Sequence, residues 1–369
     1  SGLVGSEMCI RDRYLTGMVL ASSGTHSDND TLVTSAKSLV TNGIERLLPD
    51  HPVAQSDLCG TIHKGHQVLR WRLASAAVII SVSCFLMWAD FKMGEETGRA
   101  GLILTPIAVL VAMAGANEVR TLIESKGHKL RPFCAEIGSG FATLMACVPL
   151  FWLDYPVDCP IGRLGWILYG ILGAIGGFFL VEILRFNEAE RIVERVAFQS
   201  FAVVYFGGLL GFLAVIRDWH DNNWGLIAVI SVISVVKLSD AGAYFVGRAV
   251  GRHKMAPKLS PGKTWEGAAG ALVVGSLGGW LSLEILQAIV NGPTGAIAIH
   301  ECLLYGLVLS VAGMIGDLVE SLLKRDAAVK DSSRWLPGLG GILDVFDSLL
   351  VAAGVAYVCW SGGLITLPG

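Results

Sequence analysis

The chain has 369 residues, of which 53% are hydrophobic and only 16% charged, with a formal net charge of −3. Soluble domains carry about 25% charged residues, so this composition excludes an ordinary soluble fold and points to an integral membrane protein. There is no basic excess to support a nucleic-acid partner, and the eight cysteines form neither a C-x-x-C pair nor a Cys/His metal spacing.

In chain order, residues 1–13 (SGLVGSEMCIRDR) read as sequencing-adapter sequence, because Met8 to Asp12 is what a common transposon adapter encodes in one frame; they are set aside from the fold. Residues 14–66 begin with an apolar run too short to span and continue as polar sequence. They are expected to form a flexible cytoplasmic tail with no cleavable signal peptide. A membrane span needs about 20 mostly apolar residues. Nine segments approach that pattern, with cores at Leu73–Trp88, Gly101–Val119, Phe133–Leu153, Leu164–Leu184, Val196–Ile216, Trp224–Val246, Trp265–Val290, Leu303–Leu323 and Ile342–Leu364. Segments apolar all round must be helical, since lipid offers no partner to backbone polar groups. The expected fold class is therefore an all-α polytopic bundle of about nine transmembrane helices. Residues 67–222 supply the N-terminal helices and 223–369 a C-terminal catalytic region.

Charge asymmetry orients the bundle. With the amino terminus in the cytoplasm, the loops after the even-numbered spans carry Arg120, Lys126, Lys129, Arg131, Arg185, Arg191, Arg195, Arg248, Arg252, Lys254, Lys258, Lys263, Lys324, Arg325, Lys330 and Arg334. The opposite loops carry only Lys92, Arg99, Arg163 and Arg217, as the positive-inside rule requires. These opposite loops are short and turn-rich and are assigned no chemistry. Gly173/Gly177, Gly207/Gly211 and Gly275/Gly279 recur at the spacing of close helix packing. Asn187–Arg195 reads as a surface connector, and Glu136 and Glu182 as solvated or capping acids.

Two charged stretches interrupt the apolar pattern on the cytoplasmic side. The first is Lys237 to Gly267, KLSDAGAYFVGRAVGRHKMAPKLSPGKTWEG. Asp240 lies inside its apolar run and needs a partner or a polar cavity. Lys258, Ser260, Lys263 and Thr264 are suited to phosphate oxygens. Gly262-Lys263-Thr264 resembles the end of a P-loop, but Pro257 stands where its first glycine belongs and no strand of a soluble sheet precedes it, so a Walker A site is rejected.

The second stretch, Gly316 to Ser348, is the one around which the chain is organised: GDLVESLLKRDAAVKDSSRWLPGLGGILDVFDS. Asp317, Ser321 and Lys324 fall at i, i+4 and i+7 on one helix face; Asp344 and Asp347 fall at i and i+3 on the next helix. A short loop with Pro337-Gly338 and Gly340-Gly341 joins the two, so they are expected to pack antiparallel and to bring Asp317 opposite Asp344 or Asp347. Clustered carboxylates repel unless a cation lies between them, and oxygen ligands without His or Cys favour Mg²⁺. Structural ion pairs, such as Asp317 with Lys324 or Asp331 with Arg334, are the plainer alternative.

Ser321-x2-Lys324-Arg325-x4-Lys330-Asp331-x-Ser333-x2-Leu336-Pro337-x2-Gly340-Gly341-Ile342-x-Asp344-x2-Asp347 resembles the signature of the phosphatidate cytidylyltransferases, the CDP-diacylglycerol synthases; SDAGAYFVGR followed by KLSPGKTWEG resembles that family's other cytoplasmic stretch. The resemblance covers about the last 170 residues. It departs from the family pattern at Leu339, where His is usual, and at Val345, where Arg is usual. It implies transfer of CMP from CTP to phosphatidate in a bacterial inner membrane, with CTP, phosphatidate and membrane lipid as partners and a homodimer as the assembly. By resemblance, Asp317 and Asp344 are expected to hold Mg²⁺, with Asp347 and Asp331 beside them and a second cation left open. Lys324, Arg325 and Lys330 would hold the triphosphate or pyrophosphate, Ser321 would add a hydroxyl contact, and Asp240, Lys258, Ser260 and Lys263 would close the site. A CDP-alcohol phosphotransferase lacks support because no D-G-x2-A-R precedes Gly341-x2-Asp344-x2-Asp347. A CTP-dependent lipid-alcohol kinase is a neighbouring alternative. A transporter would spread its acids through the membrane depth, and here they cluster at one face.

Overall fold

A computed structural model describes residues 77–152, 155–156, 158–187, 191–290, 297–329, 332–333 and 340–367. The adapter-like start, the tail, and the site candidates Lys330 and Asp331 lie outside the described residues, as does Leu339. The fold is a helical membrane bundle. Its helices are α1 (Ala77–Thr97), α2 (Leu104–Glu124), α3 (Cys134–Ala146), α4 (Gly162–Leu184), α5 (Ile192–Arg217), α6 (Asn222–Val250), α7 (Trp265–Val290), α8 (Ile299–Asp326) and α9 (Ile342–Ser361). Among the described residues, all but α3 are long and apolar enough to cross a membrane. At 1.5 Å per residue α3 spans only about 20 Å. The 3₁₀ turn Val148–Phe151, started by Pro149, adds about 8 Å and brings it close to the hydrocarbon thickness.

The expected order of spans holds, with boundary shifts that have physical causes. The first span was expected to stop at Trp88, but α1 runs on through Asp90, Lys92 and Glu95 to Thr97. Asp90 is tolerated there because it is wholly buried against Arg217 at the end of α5, 3.0 Å away. Asp90 also accepts the Gly101, Ile103 and Leu104 amides, and Arg217 donates to Asn222 at the start of α6. Glu136 and Glu182, read from the sequence as solvated or capping acids, are neither exposed nor, among the described residues, bonded to a helix end. Both are buried; Glu136 pairs with Arg120 at 2.7 Å, and Glu182 holds Arg131 and Arg195 together.

The expected glycine packing is present at two pairs. Gly207 and Gly211 lie against Ser139 and Ala146 of α3, while Gly275 and Gly279 bring α7 onto Ser310 and Gly306 of α8. Gly177 has nothing within 4 Å of where a side chain would begin. One core joins α6, α8 and α9 through Val232, Val236, Leu309, Ala352 and Trp360. A second joins Ala112 and Val119 of α2 to Tyr205 and Phe206 of α5 and to Leu343 and Leu350 of α9, so the N-terminal and C-terminal helices are packed into each other.

The chain between α6 and α7 forms an antiparallel hairpin, β1 (Lys254–Ala256) and β2 (Ser260–Thr264), which the sequence did not suggest. Glu266, in the first turn of α7, accepts the Arg252 and His253 amides and clamps the hairpin base.

Candidate active site

The site is built where α8 ends, α9 begins and the hairpin folds over them. Antiparallel packing of α8 and α9 brings Asp317, Glu320 and Asp347 together: one carboxylate oxygen from each lies within 4.8 Å of the others. Lys324, one turn beyond Glu320, forms an ion pair with Glu320 at 2.6 Å and with Asp344 at 2.8 Å. Lys263 reaches down from β2 to Asp317 at 2.8 Å. Two ammonium groups thus partly offset the crowded acids.

Asp344 was expected beside Asp317 as a metal ligand. It stands at the edge of this group, sharing Lys324 with Glu320. Oδ1 accepts Lys324; Oδ2 accepts the Ser332 hydroxyl at 2.7 Å, the Gly341 amide at 2.7 Å and the Ser332 amide at 3.2 Å. It occupies the N3 position of α9 and reaches back over the helix start, as an acid there commonly does. Glu320, which the i, i+4, i+7 count passed over, completes the tight group instead. It is 2% exposed, and its i+4 spacing to Lys324 was visible in the sequence.

Glu118 was missed altogether. It lies on α2, 4% exposed, and its two oxygens accept four hydrogen bonds from the far end of the chain. The donors are the Ser333 hydroxyl (2.7 Å), the amides of Ile342 (2.9 Å) and Leu343 (2.8 Å), and the Ser332 hydroxyl (2.8 Å), whose one proton is shared with Asp344. A carboxylate at a helix N-terminus satisfies orphan amides and is favoured by the helix dipole. Its signal was an acid inside a predicted apolar span, which asks for a partner.

The other expected residues surround this centre. Asp240 of α6 pairs with Lys237 at 3.6 Å and stands within electrostatic reach of Asp317 and Lys263. Arg325 donates to the Leu259 carbonyl at 3.2 Å and ties the end of α8 to the hairpin. Lys258 is exposed in the hairpin turn, Ser260 opens β2, and Ser321 is half-buried on α8. Beneath the acids, the Tyr205 hydroxyl is buried and has no hydrogen-bond partner among the described residues. It sits in a π-helical turn of α5, Val203–Gly208, a distortion that recurs at functional sites.

A sequence model of the Cytidylyltransferase family matches residues 70–361. The chain belongs to the cytidylyltransferase family. It is 40% identical over 253 residues to the phosphatidate cytidylyltransferase of Bacillus subtilis (strain 168), covering 68% of this chain and 87% of that protein. It is 40% identical over 291 residues to that of Brucella suis biovar 1, covering 79% and 92%. With that of Pseudomonas aeruginosa it shares 37% identity over 208 residues, covering 53% and 73%.

A cytidylyltransferase must bring one anion to the phosphorus of another, and the charges here fit that task. Asp317, Glu320 and Asp347 present oxygen atoms only, close enough to share one ion, and Asp317 keeps 35% of its side chain exposed as a way in. That donor set suits a hard divalent cation. Three carboxylates so close, facing two lysines, stay partly uncompensated without one.

Proposed function

We propose that this cytidylyltransferase transfers CMP from CTP to phosphatidate, giving CDP-diacylglycerol and pyrophosphate. The observation that carries the reading is the Asp317–Glu320–Asp347 group faced by Lys263 and Lys324, in a chain whose relatives bear the name of that activity. The site lies on the cytoplasmic side of a bacterial inner membrane, on the argument from loop charge, and a homodimer is the assembly carried by the resemblance alone.

The lipid phosphate is a monoester with a second pKa of about 6, so near neutral pH it is already an anionic nucleophile. No general base is required. One of its oxygens forms a bond to the α-phosphorus of CTP while the bond to the bridging oxygen on the β side breaks, and pyrophosphate leaves with that electron pair. Lys263, Arg325 and Lys258 receive the polyphosphate from the hairpin side and Lys324 from the end of α8; Lys330 is added by the resemblance alone. Asp317, Glu320 and Asp347 hold Mg²⁺, which when bound neutralises phosphate charge and aligns the reacting oxygens. Asp344 acts through Lys324, fixing its ammonium between the acids and the loop. Ser321, Ser260 and Asp240 line the same region in support, and the resemblance alone adds Asp331, which lies outside the described residues.

Purified protein supplied with CTP, phosphatidate and Mg²⁺ is expected to release pyrophosphate in proportion to CDP-diacylglycerol formed. Release of CDP in place of pyrophosphate would indicate a kinase, and no lipid-dependent product with any divalent metal would overturn the reading.

A further inference from the structure

Lys237 has no role in the site as described, and its placement is unusual. It lies near the middle of α6, 13 residues from Val250, or about 20 Å from that helix end at 1.5 Å per residue. A lysine so deep in a spanning helix needs a polar environment. Its contacts with Asp240, at 3.6 Å, and with the Val345 carbonyl, at 3.4 Å, are long, and an ammonium has three donors to place. Half of its side chain (49%) is left uncovered by the protein. Within the same helix, Leu238, Tyr244 and Phe245 are also exposed, so this side of α6 faces outward.

Lys237, Asp240, Tyr244 and Arg248 fall at i, i+3, i+7 and i+11, which places them along one face of α6. Arg248 donates to the Tyr244 hydroxyl at 2.7 Å. A polar stripe therefore runs along an outward-facing helix from its hairpin end to the neighbourhood of the acidic cluster. The hairpin approaches the same cluster separately, through Lys263. The molecule offers two lines of access: one from the hairpin, suited to a soluble nucleotide, and one along a helix flank, suited to a headgroup whose tails stay in lipid.

We propose that Lys237 is the residue that binds the phosphomonoester of the lipid substrate, and that the Tyr244–Arg248 end of the stripe receives the headgroup on its way there. The identity of the lipid rests on the transfer reaction proposed above; the anion site itself does not. Lys237 holds the lipid phosphate beside Asp240 and opposite the polyphosphate held by Lys263 and Lys324, so the two anions meet from different sides.

The test uses the full chain in phosphatidylcholine nanodiscs, with binding of phosphatidate and of diacylglycerol measured without CTP. The wild type is expected to prefer phosphatidate. Lys237→Gln should weaken phosphatidate binding about tenfold, the worth of one charge-assisted hydrogen bond, and leave diacylglycerol unchanged. Lys237→Arg, which keeps the charge, should restore binding to within about threefold of the wild type, and Arg248→Gln should weaken it about two- to threefold. In turnover, Lys237→Gln should raise KM for phosphatidate while KM for CTP holds. Unchanged phosphatidate binding in Lys237→Gln, or a rise confined to KM for CTP, would show that Lys237 only balances the acids and would overturn the proposal. Lys237-dependent phosphatidate binding in a protein that makes no pyrophosphate would sink the transfer reaction and leave this site standing.

Discussion

Two clusters of charge lie within the membrane helices, one at the start of α6 and one beside its middle, and they are built on different terms. At the first, Asp90 and Arg217 are 0% and 2% exposed in their side chains, and the polar atoms around them are matched: three amides and a guanidinium on the aspartate, an asparagine and its carbonyl on the arginine. At the other, Asp317, Glu320 and Asp347 crowd together, with Lys263 on Asp317, Lys324 on Glu320, Lys237 within electrostatic reach of Asp347, and one acid partly open. An acid inside a spanning helix is therefore not evidence of catalysis by itself. The complete cluster holds helices together; the incomplete one is left able to bind.

Removing a carboxylate from each cluster should give opposite results. Asp90→Ala leaves Arg217 buried without its counter-charge and should destabilise the fold by about 3–5 kcal/mol. It would be read as a lowered thermal midpoint in detergent, with turnover per folded molecule unchanged. Asp317→Asn should lower turnover by about 100-fold or more, with a raised half-saturating Mg²⁺. Its thermal midpoint should fall much less than in Asp90→Ala, because the loss of the Lys263 ion pair is offset by relief of repulsion among three acids. A midpoint that falls as far as in Asp90→Ala would erase the distinction. Glu118→Gln sharpens it from between, since both Glu118 oxygens are bonded, as in Asp90, yet its partners Ser332 and Ser333 stand beside the candidate site. Its amide group would face donors in place of an oxygen. A fall in turnover of about 10–100-fold and a stability loss of about 1–3 kcal/mol are expected together; a stability loss with normal turnover would make it a structural residue only.

Much of this was legible in the sequence because hydropathy and helical spacing are local. The order of the spans, the shared face of Asp317 and Lys324, and the antiparallel joining of α8 to α9 follow from residues a few positions apart. What was not legible depended on distance along the chain. Nothing near Asp90 announces Arg217, so the span was ended early at Trp88. Nothing near Glu118 announces Ser332 or Leu343. Which acids close the tight group is a matter of which way two side chains turn: the Gly341 amide and the Ser332 hydroxyl meet Asp344, and the group closes around Glu320. The hairpin was hidden by Pro257 and Pro261, residues that argue against strands except at edges, and both strands of a two-stranded sheet are edges.

The Glu118 contact also sets a timetable. Its donors stand 214 to 225 positions later in the chain. At about 5–20 residues per second of synthesis, α2 waits about 10–40 s in the membrane before α9 exists. During that interval the carboxylate has none of its final partners, and the first half of the bundle cannot reach its finished arrangement however well its own helices pack. The α2 contact closes only when α9 arrives, so Ser332, Ser333 and the start of α9 are fixed late, by a residue made early.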